Sequence, residues 1–129
     1  LLRDLRRRFS LSLLLITHDL GVIAEMADRV AVMYGGRIVE QAPVATVFAS
    51  PAHPYTRGLL ASIPGGAHGV RLNAIPGTVP ALGGLGAGCA FAPRCGDRFE
   101  PCAVRPPEIT TLAPEHDVRC FLHETGHAR

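Results

Sequence analysis

The sequence contains no lysine: all 13 of its Lys and Arg positions are arginine. Any mechanism that needs a lysine is therefore excluded from these residues. Charge of either sign is also scarce. A formal net charge of +2 with 19% charged residues provides no strong field for nucleic acid, which removes that class of partner. The one basic cluster, Arg6-Arg7-Arg8, reads as the solvated face of an amphipathic helix whose other side carries Leu1, Leu2, Leu5 and Phe9. Long apolar runs are missing, and so is a charged leader followed by an apolar stretch. The expectation is a chain that neither crosses a membrane nor carries its own export signal. It opens on Leu1 in mid-helix with no initiator methionine, the pattern of a fragment whose N-terminal part is missing.

What is present begins with Leu11 to Ile16, an almost unbroken apolar run of strand length, as expected of a parallel strand covered on both faces. It runs into Thr17-His18-Asp19. Asp19 can cap the helix that follows, in which Leu20, Ile23, Ala24 and Ala27 recur at helical spacing. His18 then stands at the C-terminal end of a strand, the edge where open α/β sheets bind ligands. Val30 to Tyr34 and Arg37 to Gln41 flank Gly35-Gly36, which supply the positive φ angles of a two-residue hairpin. Short helices are expected across Val44 to Phe48 and Thr56 to Ser62, with Pro54 tolerated near the start of the second.

The texture changes at Pro64. From there to Pro107, 16 of 44 residues are glycine or proline, too many for regular helices or central strands. Leu82 to Gly88 reads as a flexible tether. The four cysteines, Cys89, Cys95, Cys102 and Cys120, lie in or just after this stretch with spacing C-x5-C-x6-C-x17-C, and Cys120 falls in an expected strand Val118 to Leu122. On spacing alone, disulfides, a metal site and chance burial all stay open. There is no C-x2-C knuckle of the kind structural zinc often uses, and wide spacing suits the larger body of an iron–sulfur cluster. His116 and His123 could replace one cysteine as ligands.

A histidine on a rigid strand end can donate to a terminal phosphate or help to position an attacking water, work that phosphoryl transfer needs. It can equally do no more than close a turn. The wider stretch favours the first use: LLLITHDLGVIAEMADRVAVMYGGRIVEQ closely resembles the distal part of an ATP-binding cassette (ABC) transporter ATPase. The resemblance implies that His18 contacts the ATP γ-phosphate and the attacking water, with Asp19 holding the turn, and that Leu1 to Phe9 is the helix after the loop that touches the opposing subunit. Ser50-Pro51-Ala52-His53-Pro54-Tyr55-Thr56-Arg57, Ile75 to Pro80 and Gly88 to Cys95 narrow the resemblance to the ATPase subunits of dipeptide, oligopeptide and nickel importers. His53 and Tyr55 have no chemical role legible in the sequence, and packing at the helix start is the expectation for both.

The departures from that family are large. The phosphate-cradling loop G-x-x-x-x-G-K-[ST], the Leu-Ser-Gly-Gly-Gln signature and an apolar strand ending in Asp-Glu are all absent from these residues. The expected fold class is α/β: residues 1–49 as the C-terminal part of an ABC-type P-loop ATPase domain, residues 50–129 as an irregular, loop-rich four-cysteine extension. The resemblance implies ATP and Mg2+ for the whole subunit, and a second ATPase subunit, two membrane permease subunits and, indirectly, an extracytoplasmic substrate-binding protein as partners. It further implies residence at the cytoplasmic face of the inner membrane, where thiols are kept reduced and disulfides are disfavoured. Members of this branch carry a [4Fe–4S] cluster in the extension, so Cys89, Cys95, Cys102 and Cys120 are its expected ligands, with zinc as the alternative. The rival reading from another class is a stand-alone, non-enzymatic metal-binding module.

Overall fold

The computed structural model describes residues 2–63, 75–79 and 85–124. Helix α1, Leu2–Phe9, carries Asp4 in its first turn and Arg6, Arg7 and Arg8 in its last, the arrangement that the helix dipole favours. Arg6 is more than a solvated charge. Its guanidinium donates to Asp28 at 2.8 Å and to the Met26 carbonyl at 3.2 Å, tying α1 to the end of α2, Leu20–Met26. The pair is exposed, so this tie contributes about 1 kcal/mol at most.

Between α1 and α2 the expected central strand is not formed. Residues 11–17 have no regular structure, and Leu14 and Ile16 are 87% and 90% exposed. A strand with two buried faces needs ladder partners for its N–H and C=O groups. No described segment offers them, so the apolar run lies open.

The hairpin forms as its turn residues require. β1, Arg29–Tyr34, and β2, Arg37–Pro43, are antiparallel around Gly35 and Gly36, whose φ angles are +56° and +76°. A bulge between Val32 and Met33 twists the pair. β4, His116–Val118, joins β2, and β3, Thr110–Ala113, joins β4, giving a four-stranded sheet in the order β1-β2-β4-β3 with every pairing antiparallel. The described fold therefore mixes helices with an antiparallel sheet, where the sequence had suggested a parallel one. The expected strand Val118 to Leu122 also stops short. Arg119 N–H still donates to the Val39 carbonyl at 2.8 Å, but Phe121, only 1% exposed, turns inward and the chain becomes a 3-10 turn over Phe121–His123.

Two short helices follow the hairpin: α3, Val44–Ala49, and α4, Pro54–Ala61. Farther on come a 3-10 turn at Ala92–Arg94 and α5, Pro101–Val104. The core lies between the hairpin and the cysteine-bearing segment. Tyr34, Val39 and Phe91 form one buried cluster, and Ala92, Cys102 and Phe121 another. Residues 85–88 are not a tether, because Leu85 and Ala90 close on Gly35, and Gly88 lies against the backbone of Cys102 and Ala103. Residues 82–84 of the expected tether lie outside the described residues.

Candidate functional site

Asp19 is the N-cap of α2: its Oδ1 accepts from Gly21 N–H at 2.8 Å and Val22 N–H at 3.2 Å, and its own N–H donates to Thr17 Oγ1 at 3.0 Å. These bonds satisfy helix-end donors that would otherwise be orphaned and fix the backbone at His18. His18 itself is exposed on that turn, ahead of the helix. An imidazole so placed is free to meet a ligand delivered from outside the described residues. Among the described residues no metal-holding group brings His18 together with the four cysteines.

All four cysteines are free thiols, with Cys102 buried and the others half-buried. Cys89 N–H donates to the Cys102 carbonyl at 2.8 Å, which binds the segment around residue 89 to α5. Burial pushes the Cys89 thiol up, with Cys102 adding repulsion. Burial likewise raises Cys95, and Asp97, Cys102 and Cys89 add to it. Cys120 is pushed up to about 11, first by burial and then by Cys89, Cys95 and Cys102. A charge on Cys102 would therefore oppose ionisation of Cys89, Cys95 and Cys120. Four cysteines are a donor set whose chemistry suits a cation or an iron–sulfur core, since either would favour the thiolate form that burial disfavours. The ligating geometry is a different matter: among the described residues no group of three or more His, Cys, Asp or Glu side chains is arranged to hold a metal ion. The expected four-cysteine metal site is thus not formed among the described residues.

His116 and His123 are turned to other tasks. His116 Nε2 is 2.9 Å from Glu40 Oε1, and His123 Nε2 is 3.1 Å from the Ala52 carbonyl. Neither of these ring nitrogens is directed to the thiols as an alternative ligand.

Sequence reasoning missed one fully buried, multiply bonded carboxylate. Glu40, on β2, is 0% exposed. Its carboxylate accepts from Ala52 N–H at 2.8 Å, His53 N–H at 2.9 Å and His116 Nε2 at 2.9 Å. Thr56, 2% exposed, faces the same carboxylate, although its Oγ1 falls outside strict hydrogen-bond geometry. Burial alone would raise the pKa of Glu40, but the Ala52 and His53 N–H groups, then Thr56 and His116, outweigh it and hold the carboxyl below its ordinary value. The balance is plausible in magnitude. Burying one ion costs several kcal/mol, and hydrogen bonds to a charged acceptor return about 1.5–3 kcal/mol each.

His53, 1% exposed, is the N-cap of α4: its Nδ1 accepts from Tyr55 N–H at 3.0 Å, so a neutral ring carries its proton on Nε2. Burial, reinforced by Arg57 and His123 and only partly opposed by Glu40, lowers its pKa to about 4. Tyr55 meets Tyr34 edge-on with ring centroids 4.7 Å apart, and Phe91 completes the aromatic group. Packing at the helix start, expected for both residues, is what the structure contains, together with a cap that the expectation did not include. A signal for Glu40 did exist in the sequence. It is an acid two residues after Ile38 in a strand whose neighbours Val39 and Ala42 are core, and a buried acid requires partners.

Comparison with known proteins bears on the whole chain. A family model described as the oligopeptide/dipeptide transporter, C-terminal region, matches residues 39–102. The oligopeptide transport ATP-binding protein AppD of Bacillus subtilis is 50% identical over 125 residues, 96% of this chain and 38% of that protein. A Brucella ovis protein named for peptide import and ATP binding is 48% identical over 128 residues, 94% of this chain and 38% of its own. The oligopeptide transport ATP-binding protein OppD of Mycobacterium bovis is 49% identical over 113 residues, covering 86% of this chain and 18% of the relative. The chain thus spans well under half the length of each of these relatives.

Proposed function

Residues 39–102 place this chain in the oligopeptide/dipeptide transporter C-terminal-region family, and from that premise we propose that it is part of the ATP-binding subunit of an ABC importer of peptides. The observation that carries the proposal is near-half identity, over almost the entire chain, to proteins named for peptide transport and ATP binding. In this reading residues 1–49 are the C-terminal segment of the nucleotide-binding domain and residues 50–129 its extension. The subunit pairs with a second ATPase subunit and with two permease subunits at the cytoplasmic face of the membrane. Closure of the ATPase pair around ATP and Mg2+ drives the permease, and a substrate-binding protein supplies the peptide.

His18 is the residue we assign to the nucleotide. Its turn is fixed by Asp19, its side chain is exposed, and an imidazole N–H there can donate to a γ-phosphate oxygen or hold the attacking water. The phosphate-gripping lysine, the magnesium ligand and the catalytic glutamate are not among these residues, so the 129 residues alone are expected to be inactive. The test uses the full-length subunit. His18→Ala should lower its ATPase turnover by about 10²-fold or more, the loss typical of one missing charge-stabilising donor, while ATP binding changes little. Turnover within twofold of the unaltered subunit would remove His18 from the reaction.

The four thiols are, in the same proposal, the ligands of a [4Fe–4S] cluster in the extension, with zinc as the alternative. The electrostatic influence of neighbouring cysteines on Cys89, Cys95 and Cys120 supports this reading. A bound cluster would supply cross-linking of loops that have little apolar periodicity of their own. Cys102, buried against Ala92 and Phe121, and Cys89, bonded to the Cys102 backbone, would hold it from the core side.

A further inference from the structure

We propose that Glu40 is a positioning residue for the fourth thiol, holding Cys120 against the other three through bonds on either side of it. The inference rests on the reading of the four cysteines as one site, and it concerns how that site is assembled. Cys89, Cys95 and Cys102 lie within 14 residues of one another, and their segment is secured to the tip of the hairpin by Phe91 on Tyr34 at 5.2 Å between centroids and by Ala90 on Gly35. Cys120 comes 18 residues after Cys102 and belongs to none of those contacts. It has to be brought in from the sheet.

On both sides of Cys120 a set of bonds leads to residues 39–53, beside the contacts that Phe121 and Glu124 make with residues 92–108. His116, four residues before Cys120, is bonded to the Glu40 carboxylate. Val118 is opposite Glu40 in the β2–β4 register, and Arg119 N–H donates to the Val39 carbonyl at 2.8 Å. Just past Cys120, Phe121 enters the cluster with Ala92 and Cys102, and His123 reaches the carbonyl of Ala52, the residue whose N–H Glu40 holds. One buried carboxylate therefore clamps β2, β4 and the Ala52-His53 turn at a single point, and Cys120 sits between the two strands of contact that run from it. Glu40 does not touch the thiols. It acts through His116 upstream and through Ala52 and His123 downstream.

The test is thiol-specific alkylation of the full-length subunit with iodoacetamide under reducing, chelating conditions, the four sites being read separately by mass spectrometry. Glu40→Gln keeps the shape and loses the charge-assisted bonds. It should raise the alkylation rate of Cys120 by roughly tenfold or more, the opening expected from one lost charge-assisted hydrogen bond, and leave Cys89, Cys95 and Cys102 within about twofold. His116→Ala removes the upstream bond from the other side and should give the same selective change, which decides the matter if Glu40→Gln does not fold. An unchanged Cys120, or a parallel rise at all four thiols, would overturn the proposal, the second because it marks general loosening. Metal and sulfide analysis of the unaltered subunit is read alongside. Finding neither would remove the cluster reading and leave the alkylation comparison decisive for Glu40.

Discussion

Two buried side chains make this fold acid-sensitive, and the direction follows from their pKa values. His53 ionises near 6.5 when unfolded and near 4 when folded, because burial disfavours the imidazolium. Between those values the unfolded chain binds a proton that the folded chain does not. The stability contributed by neutral His53 is therefore fully present above about 6.5 and is lost as pH falls toward about 4. Glu40, held below 4.5, contributes above that value and loses its contribution as pH falls through its folded pKa, so it extends the same trend to more acid pH. At 1.36 kcal/mol per pKa unit, His53 alone accounts for on the order of 3 kcal/mol. Thermal melts taken across this window should show a Tm that falls with pH. His53→Asn, which keeps a capping acceptor but does not titrate, should flatten the dependence between pH 4 and 6.5. An unaltered slope would assign the sensitivity to another group.

At the scale of elements, two glycines make contrasting demands. Gly36 needs its positive φ of +76°, but an added Cβ there meets nothing within 4 Å. Gly36→Ala should cost only the left-handed backbone penalty, about 1–2 kcal/mol. A Cβ on Gly88 would run into the Cys102 carbonyl and come within 2.7 Å of the Ala103 carbonyl carbon, backbone atoms that cannot swing aside. Gly88→Ala should lower the urea midpoint further than Gly36→Ala and loosen Cys89 from α5. Equal midpoints would mean that the two segments separate without cost. The sequence is a good guide to elements whose cause is local. Gly35-Gly36 announces its hairpin, Asp19 its helix, and Pro54 a helix start. It fails where the cause is distant. Leu11 to Ile16 has the composition of a strand but no described partner, and β4 owes its existence to β2, some 75 residues earlier, through pairings such as Glu40 with Val118. The number of cysteines suggested one four-thiol site, but no three of them are arranged to hold a metal among the described residues. Glu40 was legible only as an oddity of strand alternation, because the donors that justify it come from residues 52, 53 and 116.

At the scale of the molecule, the proposed cluster makes the sharpest claim. Full-length subunit purified without oxygen should carry iron and sulfide with broad visible absorbance, and Cys102→Ser should abolish both, since Cys102 is the thiol most deeply set in the core. Zinc without colour would support the alternative metal. The sheet has a bearing on how such a chain can be divided. Its middle pair takes β2 from before residue 50 and β4 from after residue 115, and the family match itself begins at Val39, inside β2. A cut between the two strands would strip β4 of its template and the Glu40 carboxylate of the three donors that reach it. The later residues therefore cannot be exchanged between proteins as a cassette starting at Ser50; a working transplant has to carry the second strand of the hairpin with it.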